Sequence, residues 1–291
     1  VPVPGALNTG DGGGKEERRL LGCGLEKRPP YPRVTDAIDL CPEEGRVLVC
    51  LGKRMRSPKG MVFQFIIEEQ KRKREFSYQM RGVILCGYTG RNQSAVRKHI
   101  EELKKEGVDP PPSVPMFYPK PQQGISLEGE IYVEGEETSG EVEYVLLTDG
   151  DRIYVGVGSD HTDRELERMD ILKSKQVCPS VLSKNLWDYE EIKDHWDRIE
   201  IRSWAVEDGQ RTLYQDSTLS TILPPEELVR LVQQRVDGSL EGIAVFSGTP
   251  PLATEQILFA DRFEGELLDP VLKRKITLGY SIHTLDWFKA T

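Results

Sequence analysis

Three acidic side chains near the middle of the chain have the types and spacing to hold a metal ion. Glu141 and Glu143 stand two apart in Gly140-Glu-Val-Glu-Tyr-Val-Leu-Leu147. A strand turns successive side chains to opposite faces, so the two glutamates share one face and Val142, Tyr144 and Leu146 the other. Thr148-Asp-Gly-Asp151 is a turn signal. A hairpin centred between Asp149 and Gly150 sets position 141 opposite position 158 and releases Asp160 beside both glutamates. Carboxylates this close repel one another, and a hard divalent cation such as Mg²⁺, Mn²⁺ or Ca²⁺ offsets the repulsion. Read in isolation, the same residues also suit two glutamates facing water and a helix start around Asp160 and Asp163. His161 fits a ligand or a hydrogen-bonded structural group.

These residues need elements to hold them, and the pattern along the chain supplies mostly strands. Residues 61–67 and 76–86 read as strands, and the basic run Lys71-Arg-Lys-Arg74 between them reads as a solvated hairpin tip in preference to a localisation or nucleic-acid patch. Asn92 caps a helix that Gly107 ends, with Val96, Ile100 and Leu103 at helical spacing. Strands follow at 130–133, 141–147 and 152–158. A short helix then starts at Thr162 and Glu165, which have capping-box spacing. Residues 199–206 and 212–215 form strands joined by a turn at 207–210, and a helix spans 224–236 with proline in its first turn. A buried strand at 243–247 ends in Gly248-Thr-Pro250, and two last strands flank Asp269-Pro270. The reading is mainly β with short helices, an α+β class. Residues 1–58, rich in Gly and Pro, read as an N-terminal arm, and residues 59–291 as the functional domain.

The chain has 291 residues and a net charge of −9. That acidity argues against nucleic acid as a partner, because phosphate contacts need clustered Lys and Arg. No apolar run reaches membrane-span length. Residues 1–14 lack the basic-then-apolar order of a signal peptide. Five cysteines with no C-x-x-C fit a reducing compartment. The expected setting is cytoplasmic.

The ordered set His99-Ile-Glu-Glu102, the Glu141/Glu143 pair, Gly158-Ser-Asp-His-Thr-Asp-Arg164, a following lysine, a strand hairpin and Gly248-Thr-Pro250 resembles the catalytic domain of the fumarylacetoacetate hydrolase superfamily. It is most similar to a poorly characterised branch, and the resemblance spans residues 61–283. It implies a mixed β-roll fold and a homodimer. It also implies Mg²⁺ or Mn²⁺ on Glu141, Glu143 and Asp160, and a small carbonyl acid or 1,3-dicarbonyl as substrate. By the same resemblance His99 and Glu102 form a catalytic dyad, and Lys175, with Lys173 as second choice, is the active-site lysine. Arg164 and Thr249 contact substrate. His99 and Glu102, three apart on a helix, are surface neighbours, so the glutamate can orient the histidine to activate water. Lys175 suits a developing oxyanion and Arg164 a carboxylate. The implied reaction is hydrolytic or lytic C–C cleavage through a metal-stabilised enolate. The alternatives are a decarboxylase, isomerase or hydratase on the same site, or a non-catalytic binding protein. The chain departs from the family at Glu167, where a glutamine often contacts substrate, at Ser159 before the metal aspartate, and in its longer 92–99 segment.

Overall fold

The structure is a computed structural model that describes residues 60–105 and 110–287, without the side chains of His99, Glu102, Leu103 and Lys105. The expected arm over residues 1–58 lies outside the described residues.

β1 (Met61–Glu69) and β2 (Arg72–Met80) form an antiparallel hairpin. The strand expected over 76–86 is in fact broken at Arg81, which ends β2 before β3 (Gly82–Gly87) begins. The Arg81 N–H donates to the Gly242 carbonyl at 2.7 Å, and its guanidinium to the Glu241 carbonyl at 2.7 Å. The chain thereby leaves β1. α1 (Gln93–Lys105) starts where expected, with the Asn92 side-chain oxygen accepting the Ser94 and Ala95 N–H groups at 3.1 Å. After the proline-rich stretch come β4 (Met116–Lys120), which the sequence reading missed, β5 (Ile125–Ser126), β6 (Glu130–Val133) and β7 (Thr138–Ser139). The next stretch holds β8 (Val142–Asp149), β9 (Arg152–Ser159), β10 (Thr162–Asp163), α2 (Arg164–Glu167) and α3 (Ile171–Val177). β11 (Ser180–Leu182) and β12 (Asn185–Asp188) precede β13 (Glu200–Glu207) and β14 (Gln210–Thr218). The β13–β14 turn takes positive φ at Asp208 and Gly209, +50° and +78°, as a tight hairpin requires. The chain closes with α4 (Pro225–Gln233), β15 (Ile243–Phe246), β16 (Arg262–Asp269) and β17 (Arg274–Thr284).

The strands make a ten-stranded mixed sheet, ordered β2-β1-β12-β9-β8-β15-β3-β4 with β11 and β5 off this path, and a five-stranded sheet, ordered β14-β13-β16-β17-β6. β7 and β10 pair separately. Because β8 is central, both its faces are covered. Val142, Tyr144 and Leu146 join a core with Ile201, Phe263 and Tyr280, while Val145 and Leu147 join a second core with Phe65, Tyr78 and Phe246. This two-sided burial makes the strand read as a nearly continuous apolar run, and it takes any charge on β8 out of water. The mainly β architecture with short helices is the one expected. Among the described residues no helix is long and apolar enough to cross a membrane.

Candidate metal centre

The β8–β9 hairpin turns one residue later than the sequence predicts. Asp149 pairs with Arg152, and Gly150, at φ +59°, takes the left-handed conformation that a two-residue turn needs. Position 158 therefore faces Glu143 instead of Glu141. A Cβ at Gly158 would lie 2.6 Å from Val145 and 2.7 Å from Phe246, so only glycine fits there. The shift brings Asp160 level with Glu141, and the Asp160 N–H donates to the Glu141 carbonyl at 3.1 Å. The Glu141 N–H in turn donates to Ser159 Oγ at 3.1 Å.

The expected convergence of the three carboxylates is present. Glu141, Glu143 and Asp160 each offer an oxygen, and these oxygens lie within 4.8 Å of one another. Glu143 and Asp160 are buried, and Glu141 is partly so. Lys175 Nζ donates to Asp160 Oδ2 at 2.7 Å and to Glu141 Oε2 at 3.3 Å, and Arg164 Nη2 to Glu141 Oε1 at 3.0 Å. Ser180 Oγ donates to Asp160 Oδ1 at 3.2 Å, and the Gly248 N–H to Glu143 Oε2 at 2.8 Å. The two cations thus serve Glu141 and Asp160. Burial raises the Glu141 pKa, but Lys175 and Arg164 outweigh it and bring it down to about 2. Burial, then the charges of Asp160 and Glu141, push Glu143 well above the carboxylate range, against Lys175 and the Gly248 N–H. Burial works against the Lys175 charge, yet Asp160 and Glu141 raise its pKa.

A divalent cation fits this set. Three convergent carboxylates supply the hard oxygen donors that Mg²⁺ and Mn²⁺ take. Among the described residues no cation bonds Glu143, and it is the carboxylate whose negative charge the surroundings oppose.

Of the other anticipated residues, Lys175 stands inside the cluster, whereas Lys173 pairs with Asp170 at the surface. Arg164 is also inside, but in place of an open fork its Nε donates to Ser139 Oγ at 2.8 Å and its Nη1 to Glu167 Oε2 at 2.8 Å. Thr249 lies beside β8, its hydroxyl donating to the Val142 carbonyl at 2.9 Å and accepting from Gln215 Nε2 at 2.6 Å, so it pins the loop that carries Gly248. His99 and Glu102 lie on α1, with side chains outside the described residues. His161 is structural: its ring nitrogens lie 2.9 Å from Tyr280 Oη and 2.9 Å from Thr138 Oγ1, and burial leads in lowering its pKa to about 3. The helix start expected at Thr162 moves one residue on, because the Asp163 side chain caps α2 by accepting the Leu166 N–H at 2.8 Å.

Lys120 escaped the sequence reading. Its buried ammonium donates to the carbonyls of Lys175 and Cys178, both at 2.6 Å, and to Ser180 Oγ at 2.9 Å. It thus ties the end of α3 to the hydroxyl that binds Asp160. Burial lowers its pKa to about 8. The signal was Met116, Tyr118 and Lys120 on one parity, which makes Lys120 an inward residue once β4 is recognised as a strand.

A family model described as "Protein of unknown function (DUF2848)" matches residues 86–280. No curated protein sequence matches the chain. Several solved structures share its fold. Cg1458 with inhibitor has a TM-score of 0.54 at 16% identity, covering 77% of this chain and 89% of that one. 2-Keto-3-deoxy-D-arabinonate dehydratase complexed with magnesium and 2,5-dioxopentanoate has a TM-score of 0.51 at 18% identity, covering 70% of this chain and 73% of that one. Yeast ynq8, a fumarylacetoacetate hydrolase family protein, has a TM-score of 0.51 at 19% identity, covering 70% of this chain and 94% of that one.

Proposed function

Starting from the fact that the chain belongs to the family described as protein of unknown function (DUF2848), we propose that it is a divalent-metal-dependent hydrolase or lyase acting on a small oxo acid or 1,3-dicarbonyl compound. The observation that carries this reading is the buried convergence of three carboxylates, Glu141, Glu143 and Asp160, with two cations, Lys175 and Arg164, bonded to them among the described residues. The fold shared with fumarylacetoacetate hydrolase family proteins supports it.

Glu141, Glu143 and Asp160 would hold Mg²⁺ or Mn²⁺, which supplies Lewis acidity toward two neighbouring substrate oxygens. The rest falls to the chain. Lys175, held charged by Asp160 and Glu141, presents a fixed ammonium to negative charge developing on the substrate. Arg164 and Gly248 hold Glu141 and Glu143 in their rotamers. His99 on α1 takes a proton from water, oriented by Glu102 one turn away. The substrate is a small carbonyl acid, the working form a homodimer, and the setting cytoplasmic.

Calorimetric titration of chelator-treated protein with Mn²⁺ and then oxalate tests the reading. One Mn²⁺ per chain is expected, followed by oxalate that binds only with the metal present. Oxalate binding of equal strength without Mn²⁺, or no Mn²⁺ binding, overturns it. His99→Ala is expected to keep Mn²⁺ affinity and lose turnover.

A further inference from the structure

Arg164 is a buried guanidinium, each of whose three nitrogens donates to a partner inside the chain. Nε serves Ser139, Nη2 serves Glu141 and Nη1 serves Glu167, at 2.8, 3.0 and 2.8 Å. Ser139 is buried and Glu141 is 17% exposed, whereas the Glu167 side chain is 28% exposed and forms the open edge of the group. A planar guanidinium beside a metal site is suited to grip a substrate carboxylate with two parallel hydrogen bonds. Here a carboxylate of α2, one turn beyond Arg164, already occupies the outer nitrogen. Glu167, through Arg164, and Lys175, directly, therefore both border Glu141.

We propose that Glu167 sets the specificity of this site, admitting oxo acids whose end remote from the chelating carboxyl is uncharged and turning away those with a second carboxylate there. The proposal deepens the metal-site reading and rests on it. A second substrate carboxylate has to displace Glu167 from Arg164 or lie against its charge. An alkyl or hydroxyl end does neither, and a hydroxyl can donate to the carboxylate.

The test uses the full chain loaded with Mn²⁺ and two acids with the same five-carbon backbone. 2-Oxopentanoate ends in a methyl group and 2-oxoglutarate in a carboxylate. Calorimetry gives the ratio of their dissociation constants in the native chain, Glu167→Gln, Glu167→Ala and Glu165→Gln. Glu165 is an exposed acid on the same short helix, so its variant removes equal charge away from the site. The native chain is expected to favour 2-oxopentanoate by about tenfold, or about 1.4 kcal/mol. Glu167→Gln, which can still accept from Arg164, is expected to close most of that gap by tightening 2-oxoglutarate. Glu167→Ala, which opens Arg164, is expected to close it further, and Glu165→Gln to leave it unchanged. An unchanged ratio in both Glu167 variants, or an equal shift in Glu165→Gln, overturns the role of Glu167 while the metal site stands. Mn²⁺ binding with neither acid bound overturns the oxo-acid reading, and absence of Mn²⁺ binding overturns the metal site and this proposal with it.

Discussion

Two hairpins in this protein carry clustered charge, and they do opposite things with it. β1–β2 closes over Gln70 and Lys71, and its tip pairs Arg72 and Arg74 with Glu69 and Lys73 with Glu68. Arg72 and Lys73 are 69% and 68% exposed, so water already solvates them and the pairs add little to stability. β8–β9 closes over Gly150 and Asp151, and its open end gathers Glu141, Glu143 and Asp160. There the charges are out of water, where desolvation costs several kcal/mol per ion unless fixed partners offset it. Position in the sheet makes the difference. β2 is an edge strand, whereas β8 lies between β9 and β15 with a core on each face. Charge on the edge hairpin keeps the surface wet, and charge on the central hairpin builds a site while lowering stability.

The sharpest way to break this contrast is to remove one buried ligand. Asp160→Asn keeps the size and the bond from Ser180 but removes the charge that Lys175 and a metal both require. Mn²⁺ affinity is expected to fall at least about 100-fold, or about 2.7 kcal/mol. Paramagnetic resonance of free Mn²⁺ measures it, and a loss of less than tenfold means that the metal lies elsewhere.

Glu143→Gln separates function from stability. The amide oxygen in this variant would still accept the Gly248 N–H, but without the charge that burial, Asp160 and Glu141 oppose. Chelator-treated variant at pH 8 is expected to be more stable than the native chain by about 1–3 kcal/mol, while binding Mn²⁺ poorly. The sign with pH follows from the raised pKa. The folded chain keeps a proton on Glu143 that the unfolded chain releases near pH 4.5. The stability this gives is therefore present below that pH and lost as pH rises through the folded-state value. Urea unfolding from pH 5 to 9 should show the native and variant stabilities diverging upward with pH. Parallel curves would mean that Glu143 is not the strained carboxylate.

Much of this site could be read from the chain because it rests on local rules. Alternation put Glu141 and Glu143 on one face, the Asp149-Gly150 signal marked a hairpin, and Asn92 marked a helix start. The one-residue difference in the hairpin centre lies in which two residues turn: Gly150 and Asp151 do so in place of Asp149 and Gly150. Had the error been in the side-chain parity of β8, the site would have been lost, since a single-residue slip turns every side chain over. What local rules do not show is which partner a buried group finds across the fold. Lys120 reaches Lys175 and Cys178, more than fifty residues on, and Arg164 closes on Ser139 and Glu141 behind it. The break at Arg81 was hidden for the same reason, because what ends β2 there is the carbonyl of Gly242.

The smallest expected effect belongs to the other hairpin, and it completes the contrast. Lys73→Ala removes an exposed ammonium 2.5 Å from Glu68, in the one basic run of the sequence that suggested a binding patch. If the run is a solvated tip, the change costs at most about 0.5 kcal/mol, and that cost shrinks further in 1 M salt because the pair is screened. Mn²⁺ affinity should be unchanged within error. The partner Glu68 is only 13% exposed, so the pair is open to water chiefly on the Lys73 side and its coupling needs measuring. The double variant Lys73→Ala with Glu68→Gln resolves that: a coupling energy under about 0.5 kcal/mol places the pair with ordinary surface ion pairs. A coupling above about 2 kcal/mol, or a change in Mn²⁺ affinity, would show that charge on the edge hairpin is tied to the central one, and the division between the two would fail.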